Sequence, residues 1–251
     1  MNDNELKMTY ILALDTSTDA CSVAILSPSG IKQTLSVSPR EHTQRLLPSI
    51  ERLLAEHELA LQNVDAIAFG VGPGSFTGLR IGLSTAQGLA YGADLPLLPV
   101  STLQTMAQTA VRLGVADLSQ IIIPAIDARM KEIYWSAYRF DNSLQQVVSI
   151  CEERVSAPEV LATNSLVATQ NNPCAIGSGW HYEQLSAVVS NSPKLDLYPE
   201  AYDVAVLAEM ALAQEHKGQG QATISPLSVE PTYIRDEVSW KKRQRIREQQ
   251  V

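Results

Sequence analysis

Apolar residues at the start of the chain come in short runs rather than at helical spacing. Tyr10-Ile11-Leu12-Ala13-Leu14 predicts a buried strand ending at Asp15, Cys21 to Leu26 its antiparallel neighbour, and Ile31 to Val37 a third strand after the Ser27-Pro28-Ser29-Gly30 turn. The period then changes. Leu46, Leu47, Ile50, Leu53 and Leu54 recur at helical spacing over His42 to Glu56, with Pro48 near the first turns. Ile67-Ala68-Phe69 is a short strand running into the turn Gly70-Val71-Gly72-Pro73-Gly74, and Ser75 or Thr77 caps a helix reaching about Tyr91. Leu97 to Val100 is another strand, and Ser101 caps a helix to Leu113.

From residue 121 the same order begins again. Ile121 to Ile126 is a buried strand ending at Asp127, with Ile133 to Tyr138 beside it. The step from Asp127 to Ile133 equals the step from Asp15 to Cys21. Leu144 to Cys151 gives a third strand, and residues 156–163 a short helix with Ser156 as cap and Pro158 in its first turn. Cys174 to Gly179 runs from strand into glycine turn as Phe69 to Gly74 does, and a helix is expected from Trp180. Asp203 is placed as the cap of a last amphipathic helix carrying Val204, Leu207, Ala208, Ala211 and Leu212. A hairpin-rich strand set followed by a helix, given twice, predicts an α/β protein of two ribonuclease-H-like lobes. The boundaries are residues 1–103 and 104–223, with the helix at 202–216 free to pack back on the first lobe, and 224–251 as loop and basic tail.

The stretch from Ile67 to Tyr91 stands apart in composition. Seven of the chain's 13 glycines lie between Gly70 and Gly92, and Arg80 is the one charged residue between Ala66 and Ala93. Gly78, Gly82, Ala86 and Ala90 recur every four residues, a stripe where another backbone can come close. Leu79, Ile81, Leu83 and Leu89 cover other directions, so the helix asks for burial on two sides. The stripe faces either its own sheet or a partner. A membrane span is opposed by Pro73, Arg80, Gln87 and the glycine load. A phosphate loop is opposed by the missing Lys after the glycines, and Gly72-x-Gly74-x-x-Thr77 only approximates the dinucleotide fingerprint.

Composition narrows the classes further. The chain is 45% hydrophobic and 18% charged, and no charged-then-apolar leader opens it, which leads to the expectation of a cytoplasmic globular protein without membrane contact. Cys21, Cys151 and Cys174 are far apart, odd in number and without C-x-x-C spacing, so buried thiols are expected rather than disulfides or a zinc site. The net charge is -8, yet residues 235–251 carry six basic and three acidic side chains. An acidic body is a poor autonomous binder of nucleic acid. His42, His57, His181 and His216 are scattered, and neither H-E-x-x-H nor a nucleophile elbow occurs, so peptidase machinery is lacking. His42 suits a helix start or a partner contact.

Four segments together resemble the bacterial TsaB (YeaZ) family: Ile11 to Thr18, His42 to Pro48, Gly72 to Gly82, and Asp127-Ala128-Arg129 with Ile133-Tyr134. The likeness spans at least residues 8–140, extends loosely to Trp240-Lys241-Lys242, and is most specific in the glycine segment. It implies the actin-like, sugar-kinase and Hsp70 superfold and a part in forming threonylcarbamoyladenosine in tRNA. It also implies a non-catalytic subunit that pairs with TsaD through the first lobe, works with the ATPase TsaE, forms a homodimer when alone, and meets tRNA indirectly.

On the resemblance, Gly74, Phe76, Thr77, Gly78, Arg80, Ile81, Gly82, Thr85, Ala86, Leu89 and Ala90 become the partner-binding residues. The catalytic relative TsaD carries N-H-L-E-G-H after its equivalent helix and strand, with both histidines on a metal. Here Thr102 and Met106 stand at those two places, and a hydroxyl and a thioether are poor replacements for imidazoles, so no metal is expected. Asp15, Thr16, Ser17, Gly177 and Gly179 are assigned to a vestigial nucleotide cleft, because Ser17 occupies the place of the glycine usual in the first phosphate turn. No tightly bound cofactor is expected, with ATP or ADP possible only at an interface of the complex. The alternative is an independent small-molecule kinase or ATPase of the same superfold, which would bind Mg-ATP by itself. Lys241, Lys242, Arg243, Arg245 and Arg247 either supply phosphate contacts to tRNA or form a solvated chain end.

Overall fold

The structure is a computed structural model that describes residues 10–168, 172–186 and 188–234. The basic tail, with Trp240, lies outside the described residues. The first lobe is built on the antiparallel strands β1 (Ile11–Asp15), β2 (Ala20–Ser27) and β3 (Gly30–Val37), followed by helix α1 (His42–Glu56). β4 (Ala66–Gly72) then runs parallel to β1, helix α2 (Phe76–Ala93) follows, and β5 (Leu97–Ser101) runs parallel to β4. The sheet order is β3-β2-β1-β4-β5.

Every residue of β1 and β2 is buried, because both faces of the sheet are covered. The alternation in β1 divides the work. Leu12 and Leu14 face α1 and α2, in a core with Leu46, Ile50, Leu53, Leu83, Ala86 and Ala90. Ile11 and Ala13, with Ala24, Ala66 and Ala68, face the last helix, α6 (Ala201–His216), and its Val204, Ala205, Leu207 and Ala208. Alanines on the second face let that helix sit close. Thus α6, though last in sequence, completes the first lobe.

The second lobe begins with α3 (Thr102–Arg112) and β6 (Ile122–Arg129). β7 (Glu132–Trp135) and β8 (Tyr138–Asp141) are two halves of one neighbour, since Ala125 faces Trp135 and Ile122 faces Tyr138 in the same register. That register sets Ser136 opposite Pro124, which has no N–H to donate, and there the strand is interrupted. The strand predicted over 144–151 is the shorter β9 (Gln146–Ser149), paired with β8, and a further strand, β10 (Arg154–Ser156), follows it and pairs with β7. After α4 (Pro158–Ala162) and α5 (Ser165–Ala168), β11 (Cys174–Ile176) runs parallel to β6 as β4 does to β1.

Two local expectations are corrected. From Trp180 the chain makes only short 3-10 turns over Ser178–His181 and Glu183–Leu185. Trp180 is drawn into the core, where its indole N–H donates to the Ile123 carbonyl at 2.9 Å, and that anchor stops a helix from running over the sheet. Asp203 is not the cap of α6; Glu200 holds that position, and Asp203 sits in the first turn with its carboxylate turned inward to Thr109 and Arg112. Ser75 and Ser101 cap α2 and α3 as expected, accepting from the amides of Gly78 and Gln104.

The glycines of α2 divide sharply by face. A Cβ on Gly78 would lie 2.0 Å from the Thr16 carbonyl oxygen, whereas one on Gly88 would meet nothing within 4 Å. Gly78→Ala is therefore expected to cost about 1 to 3 kcal/mol through overpacking, while Gly88→Ala gains about 1 kcal/mol from helix propensity. Urea unfolding of the two variants beside the wild type checks both signs.

Candidate functional site

The strands of both lobes end at one cleft of about 730 Å³. Ser17, Thr18 and Asp19 from the turn after β1, and Gly74 to Thr77 with Arg80 at the start of α2, form its first-lobe wall. Met106, the turn Ile126 to Met130, Tyr134, Ser178, His181 and Tyr198 form the second-lobe wall. Among the described residues no three His, Cys, Asp or Glu side chains are gathered as a metal ion would require.

Of the residues assigned to a nucleotide cleft, only Ser17 reaches it. Asp15 is 1% exposed and lies beneath the turn, its Oδ1 accepting from the Ser17 amide at 2.9 Å and the Ser17 hydroxyl at 2.8 Å. Its Oδ2 has no hydrogen-bond partner among the described residues and points at Gly70, where an added Cβ would stand 1.9 Å away. Burial pushes the carboxyl up to about 7, against the two Ser17 hydrogen bonds, which lower it. Thr16 turns inward as well, donating from Oγ1 to the Gly78 carbonyl at 2.7 Å. Gly177 and Gly179 are packing glycines: a Cβ on the first would stand 2.4 Å from the Ala125 carbonyl oxygen, and one on the second 2.9 Å from the Ala125 carbonyl carbon. The assignment of Asp15, Thr16, Gly177 and Gly179 to the cleft is thus corrected, because each is spent on bringing two backbone segments together.

Thr102 and Met106 stand one turn apart on α3 but do different things. Thr102 is fully buried, its hydroxyl without a hydrogen-bond partner among the described residues, and Met106, 1% exposed, closes the floor of the cleft, its Cε 2.5 Å from where a Gly177 Cβ would be. His42 is also buried, its Nε2 within 2.9 Å of the Thr18 carbonyl and 3.2 Å of that of Ala20. It starts α1 and tethers it to the turn after β1, and is no partner contact.

The stripe Gly78, Gly82, Ala86, Ala90 faces the protein's own sheet. A Cβ on Gly82 would stand 2.5 Å from Thr16 Oγ1, and Ala86 and Ala90 are fully buried. As a docking surface these four are corrected, and for a physical reason: the turn Asp15-Thr16-Ser17 needs a helix with no side chains beneath it. Among the other predicted partner residues, Phe76, Thr77 and Arg80 are exposed, and Gly74, Ile81, Thr85 and Leu89 are half-buried. The outward face carries Ser84, Gly88 and Gly92, a second small-residue stripe two positions out of step with the first. Tyr91, 70% exposed, and Phe76, 63% exposed, flank it.

Sequence reasoning missed the segment after α6. Ile224 exchanges backbone hydrogen bonds with Leu97 at 3.0 and 2.8 Å, the Gln87 amide donates to the carbonyls of Pro226 and Val229, and the Thr232 amide donates to Val71. This strap leads Tyr233 to the cleft, where its ring lies 6.1 Å from that of Phe76, and the Arg80 guanidinium stacks 3.3 Å from the Phe76 centroid. Gln87, the lone amide in an apolar helix, was the available signal.

Two lobes, each an antiparallel strand trio extended by a parallel strand with a cleft between them, define a member of the actin-like superfold. A family model described as TsaD, tRNA N6-adenosine threonylcarbamoyltransferase, matches residues 34–242. The chain is 44% identical over 239 residues to the tRNA threonylcarbamoyladenosine biosynthesis protein TsaB of Haemophilus influenzae, covering 92% of this chain and 96% of that one. To the Escherichia coli protein of the same name it is 38% identical over 237 residues, covering 92% and 97%. YeaZ from Pseudomonas aeruginosa superposes with a TM-score of 0.76 at 37% identity, over 90% of this chain and all of that one. The chain belongs to the TsaB (YeaZ) family.

The buried carboxyl of Asp15 generates a pH prediction. Its pKa in the folded state, about 7, lies above its ordinary value of 3.8, so the wild type loses stability as pH rises through that window. Asp15→Asn is expected to match the wild type near pH 3.5 and to be more stable by up to about 4 kcal/mol at pH 8, as thermal melts at the two pH values will report.

Proposed function

We propose that this chain acts in the biosynthesis of threonylcarbamoyladenosine in tRNA as a subunit without an active site of its own. It docks TsaD through the outer face of α2, works with TsaE, and pairs with a second copy through the same face when TsaD is absent. It acts in the cytoplasm and meets tRNA through the assembly, and any ATP or ADP is held at an interface of that assembly.

One observation carries this reading: apart from Arg80, stacked on Phe76, and Gln87, held by the strap after α6, α2 is apolar or small, yet only one of its sides is used by the sheet. On the other side Ser84, Gly88 and Gly92 leave a smooth track, with open space where Cβ atoms of the two glycines would be. A second helix backbone can approach such a track closely, and Tyr91 and Phe76 at its ends supply the large side chains that anchor interfaces. The floor of the cleft speaks against chemistry there. Met106 fills it and Asp15 is sealed beneath it, so neither offers a ligand to a metal or a phosphate.

The volume of the cleft favours one competing reading, an independent small-molecule kinase or ATPase. Calorimetry of the isolated protein with Mg-ATP separates the two: the subunit reading expects no saturable heat, and stoichiometric binding with turnover would replace it.

For the docking face, Gly88→Leu is expected to weaken association with TsaD and with a second copy by roughly ten- to a hundredfold, since a bulky residue holds the helices apart at a cost of about 1 to 3 kcal/mol. Its melting temperature stays at or above that of the wild type. Gly82→Leu behaves oppositely, lowering the melting temperature through its collision with Thr16. Sedimentation and thermal melts of both variants, alone and with TsaD, decide it, and normal pairing by Gly88→Leu would remove this face from the interface.

A further inference from the structure

Among the described residues the chain passes between the lobes twice, from β5 into α3 at Ser101 and Thr102, and from Leu197 into α6 at Ala201. Hinges in two-lobed proteins lie at element ends of this kind, where a few backbone angles absorb the motion. Here a carboxylate sits on each crossing. At the first, the Ser101 hydroxyl that caps α3 donates to Glu153 Oε1, and the Tyr138 hydroxyl donates to the same oxygen at 2.9 Å. Burial raises the pKa of Glu153, the two hydroxyls opposing that rise. Ser101, which ends the first-lobe sheet, is thereby fastened to Glu153, just before β10, and through it to Tyr138 of β8.

The second crossing is held more heavily. The Arg112 guanidinium, at the C-terminal end of α3, bonds Asp203 through Nε at 2.9 Å and Nη2 at 2.9 Å and Glu200 through Nη2 at 2.5 Å. Thr109 donates to Asp203 at 2.8 Å, and Gln33 of β3 donates to Glu200 at 2.5 Å while accepting from the Tyr202 amide at 3.1 Å. Arg112 also lies over the Tyr202 ring at 4.5 Å. α3 belongs to the second lobe, its Gln104 and Gln108 bonding the backbone of Val147 in β9, whereas α6 belongs to the first. One planar guanidinium thus joins a helix of each lobe at the point where they would pivot, with Asp203 1% exposed and Glu200 8%.

We propose that these two clamps fix the angle between the lobes, so that the cleft keeps one width and does not close upon a small ligand. The cluster at the second crossing is the stronger restraint, because a bidentate guanidinium between two shielded carboxylates can slide toward neither without stranding a charge. A TsaB-family chain with this lock presents both lobes to a partner as one rigid body.

Pulsed electron paramagnetic resonance tests this directly. Nitroxides are introduced through unnatural amino acids at Glu51 on α1 and Asn142 in the turn between β8 and β9, both exposed, leaving the three cysteines untouched. The full chain is expected to give one narrow distance distribution, unchanged by millimolar Mg-ATP. In Arg112→Met/Asp203→Leu/Glu200→Gln the charges leave together and no ion is orphaned, so the chain folds and the distribution broadens or splits. Should that variant fail to fold, Arg112→Lys, which keeps the charge but loses the fork, carries the same comparison. A broad or two-peaked distribution in the wild type, a shift with Mg-ATP, or an unchanged narrow distribution in a folded variant overturns the proposal.

Discussion

The first lobe depends on one close approach, that of the turn Asp15-Thr16-Ser17 to the backbone of β4 and α2. Ordinary side chains at Gly70, Gly74, Gly78 or Gly82 would each stand within 2.5 Å of an atom of that turn. Gly78 and Gly82 cost the helix propensity, on the order of 1 kcal/mol each against alanine, and the cost is met by the burial they permit. Ser75 helps twice, capping α2 and donating its amide to the Ser17 carbonyl at 2.7 Å. A turn that elsewhere would embrace a ligand is here filled by the protein itself.

Much of this architecture was legible in the sequence, since it rests on local signals. The change from period two to helical period after Val37, the serines before α2 and α3, and the repeated step from aspartate to neighbouring strand each state a physical requirement of one element. The orientation of the glycine stripe was not legible. Gly78-Gly82-Ala86-Ala90 and Ser84-Gly88-Gly92 are two small-residue tracks on one helix, and periodicity cannot say which meets the sheet. What decides is Thr16, sixty-two residues away, whose hydroxyl bonds the Gly78 carbonyl.

Other failures have the same source. Trp180 was expected to open a helix and is instead an anchor, because its indole finds the Ile123 carbonyl inside the second lobe. Asp203 has the residue type of a cap, and Arg112 and Thr109 claim it from another helix. In each case a tertiary partner outbids a local preference. The two lobes, alike in strand order, diverge at these places: the first keeps a long helix after its parallel strand, and the second spends that length on short turns around Trp180.

The position of α6 bears on the order in which the polypeptide becomes structured during synthesis. The second lobe is continuous in sequence, from α3 to Leu197, whereas the sheet of the first lobe stays uncovered on its Ile11, Ala13 and Ala68 face until residues 201–212 have been made. Strands that leave the ribosome first are therefore the last to be enclosed. For the time needed to add more than a hundred residues, several seconds or longer at about 5 to 20 residues per second, an alanine-lined apolar surface remains open to chaperones and to other nascent chains.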